Sequence, residues 1–158
     1  MRYSLLIIAI GFSILINGQS FNEDKTAFAN FIKRMYTASA FEGVKVVDDY
    51  NHQYLISVLS LEKEKYASNS SAMDRVAQVK AQSQANTFFN GATISSDLII
   101  RTTEQKSKDS TSVLVETIES IKQNAMGFTR GLELLTNFEN SDGKRMVYVY
   151  MREMKTEK

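Results

Sequence analysis

Arg145-Met146-Val147-Tyr148-Val149-Tyr150-Met151-Arg152-Glu153-Met154 is the stretch from which the fold can be read. Its valines, tyrosines and methionines suit a pleated strand. Side chains of a strand alternate between two faces. Met146, Tyr148 and Tyr150 therefore point one way, and Val147, Val149 and Met151 the other. A sheet half open to water should alternate apolar with polar, and this strand does not. Gln53 to Leu61 repeats the pattern, with Tyr54, Ile56 and Val58 opposing Leu55, Leu59 and Leu61. Both faces of the sheet must then be covered. Helices of the same chain can do this, or part of one face can meet another subunit or protein. Tyr54, Ile56, Val58, Met146, Tyr148 and Tyr150 are accordingly the candidate interface or pocket residues.

The segments around these strands supply the covering elements. Asn140-Ser141-Asp142-Gly143 precedes the last strand, and Leu132 to Glu139 precedes that turn, so the spacing predicts a hairpin closed by Asp-Gly. Val44 to Val47 and Gln53 to Leu61 form a second hairpin around Asp48 to His52. Phe28, Phe31, Ile32, Met35 and Tyr36 fall at helical spacing and predict an amphipathic helix from Glu23 to Ala40, capped by Asn22 and stopped near Gly43. A second helix from Ala72 to Asn90 carries Ala77, Ala81 and Ala85 at four-residue steps. Ser71 and Asp74 resemble its cap pair, and Gly91 its left-handed end. Ala92 to Thr103 reads as a long strand. Val113, Leu114, Thr117, Ile118, Ile121 and Ala125 mark a third helix ending near Gly127. The order is α-β-β-α-β-α-β-β, an α+β domain with a largely antiparallel sheet of about five strands and three helices.

The N-terminus reads as an address. Arg2 precedes an apolar run from Leu5 to Ile16, shorter than the about 20 residues a membrane-spanning helix needs. Gly18-Gln19-Ser20 then offers small residues for a signal peptidase, with cleavage after Ser20. Residues 1–20 are the expected signal peptide and residues 21–158 one domain, periplasmic or secreted, with no stable membrane span after cleavage.

Composition narrows the function. The 158 residues contain no cysteine and one histidine, which leaves no disulfide, thiolate site or histidine cluster. A net charge of +1 gives no electrostatic footprint for nucleic acid. His52 could act as a base oriented by Asp48 or Asp49, but no nucleophile or second partner accompanies it. Asp48-Asp49 lacks calcium-loop spacing. Gly127 and Gly131 lack the third glycine and preceding strand of a dinucleotide loop. Lys144, Arg145 and Arg152 read as a solvated strand face. Asn69-Ser70-Ser71 matches a glycosylation sequon. We expect no catalytic, cofactor-binding or metal-binding residues, and no enzyme.

Ala77, Ala81, Ala85, Phe88, Gly91, the Thr93 to Thr103 strand, the Val113 to Ala125 helix, Gly131-Leu132-Glu133, Asp142-Gly143 and Met146-Val147-Tyr148-Val149 also follow one another in a familiar order. From Ala72 to Met154 the chain resembles the twenty-kilodalton bacterial surface lipoprotein family and related domains of flagellar outer-membrane rings. The resemblance implies an exported, non-catalytic structural or interaction module, with other envelope proteins or copies of itself as partners. Those lipoproteins carry a lipid-accepting cysteine that this chain lacks, so lipid anchoring is not expected. The alternative is a periplasmic carrier holding a small ligand in an apolar pocket between the first helix and the sheet, near Tyr148 and Tyr150.

Overall fold

The computed structural model describes residues 25–49, 52–66, 69–91, 96–102 and 110–155. The elements are α1 (Lys25–Ala38), β1 (Gly43–Asp49), β2 (His52–Glu62), α2 (Ser70–Gly91), β3 (Ile99–Arg101), α3 (Ser110–Lys122), α4 (Ala125–Arg130), β4 (Glu133–Glu139) and β5 (Arg145–Met154). Short 3-10 turns lie at Lys63–Tyr66 and Ser96–Leu98. The expected α+β class holds. The five strands run in the order β3-β1-β2-β5-β4. Every pairing is antiparallel except β1 with β3, which is parallel, so the sheet is mixed.

The two apolar faces are covered by the chain's own helices. Leu55, Leu59, Tyr148 and Tyr150 pack with α2, α3 and α4. Tyr54, Ile56, Val58, Val147, Val149 and Met151 pack with Phe28 and Ile32 of α1, flanked by Phe31, Met35 and Tyr36. Ala77, Ala81 and Ala85 are fully buried on α2, so small side chains do let that helix lie close on the sheet. Ser57, the polar break in β2, sits beneath it. Its hydroxyl lies 2.8 Å from Gln84 Oε1 and 3.2 Å from the Ala81 carbonyl oxygen. A buried hydroxyl between leucines is tolerated because it is partnered.

Several local expectations need correction. The α2 cap is Asn69, whose Oδ1 accepts from the Ala72 amide at 2.8 Å, and not the Ser71–Asp74 pair. Asp74 is taken up instead by Tyr148. Gly91 is the last helical residue and lacks the positive φ expected of it; Gly43 (φ 104) and Gly143 (φ 69) have it. The long strand from Ala92 shrinks to Ile99–Arg101, preceded by a 3-10 turn, while 92–95 and 103 lie outside the described residues. The third helix divides in two. Asn124 accepts from the Gly127 amide and starts α4, so Gly127 lies inside a helix. An asparagine side chain competing for backbone amides favours such a restart. Val113, counted in the apolar stripe, is half exposed. The Asn22 cap and the signal segment lie outside the described residues.

Asp142-Gly143 closes the β4–β5 hairpin as the spacing predicts. Asp142 Oδ1 accepts from the Lys144 amide at 2.8 Å, and Asn140 Oδ1 from the Arg145 amide at 3.0 Å. No helix among the described residues is long and apolar enough to cross a membrane.

Candidate functional site

The six candidate residues do not converge. Tyr54, Ile56 and Val58 lie under α1, whereas Met146, Tyr148 and Tyr150 lie on the opposite face under α2. Tyr148 donates to Asp74 Oδ1 at 2.7 Å, and Tyr150 to the Asp74 carbonyl oxygen at 3.4 Å. Burial and the Asp74 carboxylate push both phenols above their ordinary range. These two tyrosines fasten α2 to β5. A pocket beneath α1 cannot be lined by Tyr148 and Tyr150, because the sheet lies between.

An open concavity lies where β5 outruns β4. β4 begins opposite Met151, and β5 continues through Arg152, Glu153 and Met154. A groove of about 820 Å³ runs over this end. Tyr54 of β2, Lys25 of α1, Glu133 of β4, Phe128 of α4 and Met151 to Glu153 of β5 line it, with Lys155 beyond. Its rim is charged and largely self-paired. Lys25 Nζ lies 3.1 Å from Glu133 Oε2, and Lys155 Nζ lies 3.1 Å from Glu153 Oε2.

Arg152 is a structural tie within this wall. It donates to the carbonyl oxygens of Gly127, at 3.0 Å, and Phe128, and its guanidinium lies 4.6 Å from the Phe128 ring centroid. A cation at the C-terminal end of α4 is favourably placed. Arg152 is therefore neither part of a basic spot with Lys144 nor a merely solvated residue.

His52 joins the same end of the sheet. Its Nδ1 hydrogen-bonds Glu153 Oε1 at 2.8 Å, and its ring stacks on Tyr54 with centroids 6.3 Å apart. Glu153, which the sequence alone did not point to, holds this ring nitrogen. Asp49 is buried and accepts from Thr102 Oγ1 at 2.8 Å, while Asp48 lies 4.0 Å from Arg101 Nε. Burial pushes the Asp48 carboxyl up, and Gln53 and Arg101 only partly offset this. Burial also acts to raise the Glu153 carboxyl, but the bonds from His52 and Lys155 prevail and hold it below the usual range.

Tyr54 is the odd member. It is 2% exposed, packs on Phe28 with ring centroids 5.2 Å apart, and its hydroxyl has no hydrogen-bond partner among the described residues. A buried polar atom left unpaired costs about 1–3 kcal/mol. Burial, reinforced by Glu153 and Asp49, pushes its phenol up to about 12, so it stays a neutral donor at physiological pH. Sequence reasoning named Tyr54 for its apolar face, and missed Glu153 and the groove. The only signal for Glu153 was that β2 and β5 are long neighbours whose register sets it opposite Tyr54. No group of three His, Cys, Asp or Glu side chains among the described residues could hold a metal ion.

No protein-family model, no curated protein and no solved structure matches the chain.

Proposed function

We propose that the chain is an exported bacterial envelope module, periplasmic or secreted, that acts without catalysis by binding another protein or a second copy of itself. The single observation that carries this reading is where the molecule is closed and where it is open. Its own helices occupy both sheet faces, while the end of β5 is left as a charged groove beside an unpaired strand edge. Export rests on the apolar run from Leu5 to Ile16 and the small residues before Phe21. The resemblance from Ala72 to Met154 to the surface lipoprotein family points the same way.

Sedimentation of the purified mature protein, with cross-linking in its own cells, tests the reading. We expect a cross-linked envelope partner or a self-associated species, and an N-terminus at Phe21. A clean monomer that captures nothing in cells would sink it. A second reading, a carrier of small ligands, is favoured by one observation, that Tyr54 lines the groove while its buried hydroxyl is unpartnered among the described residues. Saturable uptake of a small amphiphile by the isolated chain, with no protein partner, would select it.

A further inference from the structure

We infer that Met126 is a reversible oxidation site, at which a hydroperoxide converts the thioether to a sulfoxide that Arg130 then holds. The site stands apart from the protein-binding reading above and does not depend on it. The chain has seven methionines and no cysteine, so every sulfur it can oxidise is a methionine thioether. Attack on a peroxide needs an accessible sulfur. Met73, Met151 and Met154 are 8%, 8% and 5% exposed, and Met35 and Met146 are packed against the two cores. Met126 is 59% exposed. Met1 lies outside the described residues. Among the described methionines, Met126 is therefore the one whose side chain is presented to solvent.

The backbone beneath it is fixed, so this display is a property of the fold. Asn124 starts α4, Thr129 donates its hydroxyl to the Met126 carbonyl oxygen at 3.2 Å, and Arg152 donates to the carbonyl oxygens of Gly127 and Phe128. One helical turn on, Arg130 Nη2 donates to Met126 Sδ at 3.6 Å. A thioether sulfur is a weak acceptor. A sulfoxide oxygen carries much negative charge and accepts strongly, so the same guanidinium bonds the product better than the reactant. In the reaction a sulfur lone pair attacks one peroxide oxygen and the O–O bond breaks. An S–O bond forms, the departing hydroxide takes the proton left on the transferred oxygen, and water is released. The sulfur loses two electrons and the peroxide gains them. A sulfoxide would disrupt either core, whereas at Met126 it meets water and a cation. Oxidation there leaves the fold intact, and a thiol-dependent sulfoxide reductase restores the thioether.

The test treats the folded mature chain, Phe21 to Lys158, with dilute hydrogen peroxide and follows each methionine by peptide mass mapping. We expect Met126 to gain one oxygen atom roughly tenfold or more faster than any other described methionine, and that lead to vanish in urea. Met126→Leu should remove the fast phase while the chain stays folded. Oxidation of the native chain should shift the side-chain N–H resonance of Arg130, and the same treatment of Met126→Leu should leave it in place. The melting temperature should survive oxidation at Met126, and a methionine sulfoxide reductase should return the original mass. The assignment falls if Met35 or Met146 oxidises as fast as Met126 in the folded chain, or if oxidation at Met126 unfolds the domain. An Arg130 resonance that does not respond refutes the guanidinium as the group that holds the oxygen. A sulfoxide that the reductase cannot remove refutes reversibility.

Discussion

Substituting Ala81→Leu tests the packing on which the fold depends. Ala81 is fully buried at the middle of the α2 alanine stripe, and its carbonyl oxygen lies 3.2 Å from the hydroxyl of Ser57 on the sheet. At that approach an isobutyl group has no room in place of a methyl. Either α2 lifts or neighbouring side chains leave their rotamers, and overpacking of this kind costs about 1–3 kcal/mol. Lifting also breaks the Ser57 contact to Ala81, worth about 1 kcal/mol. The expected loss is about 2–4 kcal/mol, a large share of the roughly 5–15 kcal/mol that holds a domain together. Urea unfolding at 25 °C reads it directly, with the slope unchanged. In a domain of this size the melting temperature should fall by roughly 10 °C. The control is Val79→Leu on the outward face of the same helix, where Val79 is 65% exposed and the change should stay within about 0.5 kcal/mol. If Ala81→Leu falls within that band, or Val79→Leu costs as much, the assignment of the α2 face is wrong.

Three further outcomes follow from named contacts. Burial, and for Tyr148 its bond to Asp74, raises the phenols of Tyr54, Tyr148 and Tyr150, so their stabilisation is whole below the ordinary tyrosine range near pH 10 and is lost as pH climbs through the folded values. Tyr148→Phe should cost stability at pH 7 yet flatten the alkaline limb of a pH–stability curve, and an unaltered limb would refute the buried bond to Asp74. Glu153 has the opposite sign. Its folded carboxyl sits below the ordinary value, so its contribution is present above about pH 4.3 and fades as pH falls through the folded value. Glu153→Gln should therefore narrow the gap between stabilities measured at pH 7 and pH 3, and a gap as wide as in the native chain would count against the His52–Glu153–Lys155 arrangement. Finally, a methyl at Gly131 would collide with the Arg152 guanidinium, so Gly131→Ala should push that group off α4 and cost about 1–2 kcal/mol in thermal unfolding. Equal stability would mean that Arg152 does not tie down α4.

The two-sided apolar strands were legible in the sequence because strand periodicity is fixed by the backbone. Once Val147, Val149 and Tyr148, Tyr150 were assigned to opposite faces, two helical layers were required, and the alanine stripe identified the helix that comes closest. What stayed hidden depended on competition between nearby groups. Asn124 restarting a helix and Asn69 displacing Ser71 as a cap are contests over backbone amides, settled by geometry that spacing does not encode. The strand predicted from Ala92 to Thr103 failed for a related reason. β-Branched composition favours an extended chain, but among the described residues of that stretch only Ile99–Arg101 finds a partner, the parallel edge of β1. Propensity without a neighbour makes no strand.

The end-of-sheet site was hidden more deeply, and the reason bears on what the site does. His52 attracted notice beside Asp48 and Asp49 because they are close in the chain, yet Glu153, which bonds its Nδ1, lies about a hundred residues on, on the neighbouring strand β5. Antiparallel register brings residues far apart in the chain side by side on one face, and it sets Asp49 of β1 opposite His52 as well as bringing Glu153 of β5 near it. Tyr54 and Glu153 are directly opposed in that register, and His52 reaches Glu153 along the diagonal. Glu153 is satisfied from two directions, by His52 and Lys155, while Tyr54 beside it remains unpaired. A fold that needed only stability would gain from replacing that tyrosine with phenylalanine, since an unpaired buried hydroxyl is a net cost. The unpaired hydroxyl is therefore a cost that the fold carries at the end of β5 where the ladder to β4 stops.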